Sequence, residues 1–169
     1  RKVTLFFAAA LFSLLSFAQD NNADIVKVGD SMPAFTFIQQ VNGTVNSEDL
    51  KGKVVLINIL LLGVVLAKAN WLKFKKTLWP KYKDNKDFCM LVIGAKHTDD
   101  QLTEYNKRKR VLHFLSTRTR NGKSQVSFAS QYIPRSYLIN KEGKVISATV
   151  GYKKEEMDKL MKEIDKALK

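Results

Sequence analysis

The chain has 169 residues, 45% hydrophobic and 27% charged. It lacks repeats and low-complexity tracts, which fits one globular domain with a real core and excludes a disordered or fibrous protein. Its formal charge is +13, but the lysines are spread along the sequence and no nucleic-acid motif accompanies them, so they read as a solvated surface. Cys89 is the only cysteine, which excludes an intramolecular disulfide.

Arg1 and Lys2 precede an uncharged apolar run from Val3 to Ala18, closed by Ser16-Phe17-Ala18 and polar Gln19-Asp20-Asn21-Asn22. A basic start, a short apolar run and small residues at the cleavage position read as a signal peptide over residues 1–18. An exported, periplasmic protein is expected, touching membrane only during export, because the run is shorter than the ~20 apolar residues of a spanning helix. A polar lead over 19–27 and a single domain over 28–169 follow.

In "AFTFIQQVNGTVNSEDL", the alternation of FTFI and the turn at Asn42-Gly43 predict a hairpin. "KGKVVLINI" (51–59) reads as a central strand buried on both faces. Trp71, Phe74, Leu78 and Tyr82 stand at helical spacing with lysines between them. "DFCMLVIGA" (87–95) predicts a second central strand, in which Cys89 reads as a buried, inert thiol. Thr98 can cap a helix through "DDQLTEYNKRK". "RSYLIN", the turn "KEG" and "KVISATVG" predict a second hairpin, and Met157, Leu160, Met161, Ile164 and Leu168 share one face of a last helix. This order predicts an α/β fold, a sandwich around a mixed sheet.

The segment "INILLLGVVLAKANW" (57–71) stands out, because it runs on from a strand through apolar residues where a polar loop should begin. Around it, "VKVGDSMPAFTF…LKGKVVLIN", "IGAKHTDDQL" and "FASQYIPRSYLINKEGKVI" resemble the exported thiol–disulfide oxidoreductases of the thioredoxin superfamily, in its redoxin-like branch. The resemblance spans residues 26 to 168. It implies a thioredoxin-like three-layer sandwich, a mixed central β-sheet flanked by helices. It also implies protein thiols or disulfides, or a redox partner protein, as partners, and no cofactor. In that family a C-x-x-C motif opens the helix after the first central strand, where the helix N-terminus stabilises a thiolate. A cis proline beside the cysteines shapes a groove for extended substrate, and Pro134 matches it. Laid over this pattern without a gap, Val64 and Ala67 occupy the positions of the cysteine pair. Exchange needs an attacking thiolate and a resolving partner, and neither residue supplies one.

The genetic code offers a reason. Codons permitted for Leu60 to Lys68 can be written TTG CTA CTT GGT GTG GTC CTT GCA AAG. Read one base earlier, after ATT for Ile59, they give TTT GCT ACT TGG TGT GGT CCT TGC AAA, which spells "FATWCGPCK". The same offset turns "VLHFLSTRTRNGKS" (111–124) into "GFTFPLYPDPEREV", also similar to the family. Two out-of-frame segments, 60–72 and 111–125, are therefore expected, and part of the excess positive charge with them. Such a chain is redox-inactive as written. The alternative is a genuine redox-dead module that binds extended polypeptides beside Pro134.

The remaining candidates carry simpler explanations. His97 and His113 are too few and too dispersed for a metal site, and His97 suits a helix cap or a solvated surface. Trp71, Phe74, Leu78 and Trp79 read as core rather than a ligand box, and no glycine loop suits a phosphate.

Overall fold

A computed structural model describes residues 25–39, 43–60, 72, 74–94, 100, 101, 104, 114–116, 128, 134–151 and 154–169. Seven strands form one sheet: β1 (Thr36–Gln39), β2 (Gly43–Asn46), β3 (Val54–Leu60), β4 (Phe88–Gly94), β5 (Phe114–Ser116), β6 (Arg135–Ile139) and β7 (Val145–Val150). The spatial order is β2-β1-β5-β4-β3-β6-β7. β3 runs parallel to β4 and β4 to β5, while β6 and β7 close one side and β1 and β2 the other in antiparallel pairs. The expected parallel pairing of the two central strands holds residue for residue from Val54↔Phe88 to Leu60↔Gly94.

β3 and β4 lie in the middle because they are continuous apolar runs, which only a strand covered on both faces can hide. Alternation divides their side chains. Val54 and Leu56 join Met90, Val92 and Leu138 on the face packed by Phe74, Leu78 and Tyr82 and by Met157, Leu160 and Ile164. Val55, Ile57 and Ile59 face the other way, with Leu91, Ile93, Tyr137 and Ile139, and meet Val26, Phe35, Leu50 and Phe128. Val26, at the end of the segment read as a polar lead, is buried in this second cluster. The expected first hairpin forms, but Gly43, expected in its turn, opens β2 opposite Gln39. Gly143, at φ 75°, makes the second hairpin turn, where its N–H donates to the Asn140 carbonyl at 2.9 Å.

The helix expected from Trp71 departs from a plain α-helix. Phe74–Leu78 forms a wide π turn that passes into α1 (Trp79–Tyr82). Phe74, Leu78 and Tyr82 recur every four residues, more than the 3.6 of an α-helix, and a wider turn brings them back onto one line. Pro80 has no N–H to give the preceding turn. Leu72 is helical and 53% exposed, whereas Phe74, Leu78 and Tyr82 are buried.

The last helix, α2 (Lys154–Ala167), is tied to α1 by a polar staple. Asp165 accepts from Lys81 Nζ at 2.7 Å and from the Tyr82 hydroxyl at 2.8 Å. These two bonds, Lys81 first, hold the Asp165 carboxyl below its ordinary range. Its contribution is therefore present above the unfolded carboxylate pKa and lost as pH falls through the lower folded value. Asp165→Asn should cost about 1 kcal/mol at pH 7 for a half-exposed pair. In urea titrations the deficit should shrink as the pH falls below the ordinary carboxylate range and through the lowered folded value. An unchanged deficit there would contradict the staple.

The helix expected after Thr98 falls mostly outside the described residues; Asp100, Gln101 and Glu104 are helical. The segments 1–18 and 61–71, His97 and His113 also lie outside them. Among the described residues no helix is long and apolar enough to cross a membrane.

Candidate functional site

The register of β6 against β3 decides which residues gather where β3 ends. Ile59 pairs with Arg135 and Asn58 with Ser136. Pro134 precedes Arg135 directly, so it lies level with the point where the chain leaves β3 toward positions 64 and 67. Pro134 is buried, and its carbonyl accepts from the Gly151 N–H at 2.8 Å, which ties it to the end of β7. Val64 and Ala67 lie outside the described residues.

A polar and aromatic frame begins at the residue after Pro134. Arg135, 4% exposed, donates from Nη1 to the Tyr137 hydroxyl at 3.4 Å, and that hydroxyl donates to the Phe128 carbonyl at 3.1 Å. Burial pushes the Tyr137 phenol up, partly opposed by Arg135, so it stays a neutral donor. Phe128 is fully buried, with its ring 5.4 Å from that of Tyr137 and 6.1 Å from that of Phe35. Its carbonyl also accepts from Ile25 and Val26 N–H, both at 3.2 Å.

The single thiol is at the other end. Cys89 pairs with Val55, four residues down β3 from Ile59. That is about 13 Å at the ~3.3 Å rise per residue of a parallel strand. The thiol is partly buried, and desolvation pushes its pKa up against the weaker opposing effect of Lys53. It is therefore a poor nucleophile at neutral pH. Among the described residues no group of three or more His, Cys, Asp or Glu is placed to hold a metal.

Sequence reasoning missed Asn58, Phe128, Arg135 and Tyr137. Asn58 is 1% exposed on the face shared with Val54 and Leu56, and neither its Oδ1 nor its Nδ2 meets a hydrogen-bond partner among the described residues. Such a group costs about 1–3 kcal/mol when left unpaired. The signal for it was present: one amide inside "VVLINIL", where strand preference disfavours asparagine. For Phe128 no local signal exists, because its partners Phe35 and Tyr137 are remote in sequence.

The family model for Redoxin matches residues 27–168. The chain belongs to the Redoxin family. This Redoxin chain is 26% identical over 147 residues to the thiol-disulfide oxidoreductase ResA of Bacillus thuringiensis subsp. konkukian (strain 97-27), covering 82% of this chain and 79% of that one. Its backbone is similar to a solution structure from Bacteroides thetaiotaomicron assigned as a protein disulfide isomerase. There the TM-score is 0.78 at 26% identity, over 86% of this chain and 92% of that one. A solution structure from Neisseria meningitidis, assigned as a thioredoxin, superposes with TM-score 0.67 at 29% identity, over 82% and 91% of the two chains. The Redoxin chain thus has the thioredoxin-like α/β fold, and its sequence holds a single cysteine, Cys89.

Proposed function

We propose that this chain carries the scaffold of an exported thiol–disulfide oxidoreductase whose exchange site has been overwritten, so that the chain as written does not exchange disulfides. One observation carries this reading: its only sulfur nucleophile, Cys89, sits level with Val55, about 16 Å of strand away from the end of β3 at Leu60. A dithiol site needs two thiols within bonding reach of one another and of substrate. Val64 and Ala67 hold the positions where the family's pair belongs. The family resemblance supports a cis peptide before Pro134, protein thiols or disulfides as the original substrates, and a periplasmic address through a signal peptide over residues 1–18.

The purified protein should reduce insulin disulfides, with dithiothreitol as electron source, no faster than dithiothreitol alone. Cys89→Ala should behave identically. Turnover that disappears with Cys89→Ala would overturn the proposal and make Cys89 the nucleophile.

A further inference from the structure

We propose that a cavity at the opposite end of β6 from Pro134 binds a small zwitterion with an apolar side chain, an amino acid or a short peptide. The cavity, of about 590 Å³, opens between the β6–β7 turn and the last turns of α2. Pro134 and Asn140 flank β6, so at ~3.4 Å per residue the two places stand about 20 Å apart. The volume lies within the ~300–1,000 Å³ usual for small-molecule sites. Its floor is apolar, made by Ile146 and Ala167, both half-buried against the first core cluster. Ile146 is an extra residue in β7. The pairing passes from Leu138↔Ser147 to Ile139↔Val145 and leaves Ile146 without a partner on β6, which is a β-bulge. Bulges re-aim side chains and recur beside functional sites.

The charges around the cavity select the ligand. Lys141, Lys166 and Lys169 line it together with Glu142 and Glu163. Lys141 is already engaged, since its Nζ donates to the Leu168 carbonyl at 3.1 Å and lies 3.4 Å from the Asp87 carboxylate. There it meets the C-terminal end of α2, where the helix dipole favours a cation. Lys169 acts electrostatically on Asp165. Glu142 on the turn and Lys166 on α2 are exposed and have no ion-pair partner among the described residues. Glu163 reaches Lys159 only at 3.7 Å through Oε1, and its Oε2 is shielded from solvent with no hydrogen-bond partner among the described residues. A plain organic cation would meet the lysines here, and a plain anion the glutamates. A molecule with both an ammonium and a carboxylate answers Glu142 with one and Lys166 with the other, and lays its apolar side chain over Ile146. Its ammonium also offers the donor that Glu163 Oε2 lacks, once that carboxylate turns toward the cavity.

The test titrates leucine and leucyl-leucine, each beside its N-acetyl and its C-terminal amide form, into the full chain while backbone amide chemical shifts are followed. At least one of the two zwitterions should bind saturably, and the tighter one names the source. It should bind roughly threefold or more tighter than either of its blocked forms. The shifts should gather on Asn140, Glu142 and Ala167 and leave Arg135 and Gly151 unmoved. Glu142→Gln should erase the advantage over the N-acetyl form, and Lys166→Gln the advantage over the amide. Both side chains are exposed, so neither change touches the core, and circular dichroism confirms the fold of each variant. Equal binding of the zwitterion and both blocked forms would overturn the proposal, as would affinities that neither substitution alters. No saturable binding of either zwitterion up to about 10 mM would overturn it as well.

Discussion

Replacing residues 60–68 with "FATWCGPCK", together with "GFTFPLYPDPEREV" over 111–124 and Asn70→Glu, should raise insulin reduction from background to sustained turnover. Two cysteines at positions 64 and 67 would stand in the first turn of the helix that follows β3, where the N-terminal dipole favours a thiolate. The first thiolate attacks a substrate sulfur, forms a mixed disulfide and releases the other substrate sulfur as a thiolate. The second cysteine then attacks the first one's sulfur, which frees the substrate as a dithiol and leaves a disulfide for dithiothreitol to reduce. Position 70 lies three residues past the second cysteine position, where the shifted frame permits glutamate and an acid can assist proton transfer. In the reread protein Pro134→Ala should lower kcat/KM roughly tenfold or more, since the family resemblance implies a substrate groove beside that proline and small misplacements are costly. A folded, reread protein that cannot cycle between dithiol and disulfide would refute the out-of-frame account. It would leave the chain as a polypeptide-binding module beside Pro134.

Phe128→Ala should be among the most damaging single substitutions at the described residues outside the central strands. The ring is fully buried between Phe35 and Tyr137, and truncating a buried phenylalanine costs about 3–5 kcal/mol. That is a large share of the ~5–15 kcal/mol that holds a typical domain together. The loss should also loosen the carbonyl that receives Ile25, Val26 and Tyr137, and so the frame that follows Pro134. Urea unfolding followed by far-UV circular dichroism measures it. A cost below about 1 kcal/mol would mean that the surroundings collapse onto the vacated space.

The sequence made the sheet's centre plain because burial on both faces writes an uninterrupted apolar run, as in Val54–Ile59 and Phe88–Ile93. The second hairpin was equally plain, since Gly143 and its polar neighbours mark the reversal between two apolar strands. β5 was hidden. Phe114, Leu115 and Ser116 are three residues among threonines and arginines, and their strand exists through pairing with β4 and β1, which no local pattern records. The π turn was hidden as well, because a four-residue spacing reads as helix until the missing N–H of Pro80 and the line of Phe74, Leu78 and Tyr82 are considered together. At the site, the reading of Val64 and Ala67 as the pair's positions rests on motifs alone, and both lie outside the described residues. The frame of Arg135, Tyr137 and Phe128 was not legible, since it arises from side chains that meet only once β6 lies against β3.

The antiparallel partner of β3 is β6, some eighty positions further along the chain, and the layer over Leu56 and Val92 is completed by α2. A ribosome delivering this polypeptide therefore exposes the most apolar strand long before its neighbour exists. The early βαβ unit can pair β3 with β4, but one edge of β3 stays open and one face only partly covered until the last two strands and α2 emerge. Contacts so distant in sequence close slowly, because loop-closure entropy is lost before they form. Over that interval the nascent chain offers an apolar strand edge of the kind that holding chaperones bind.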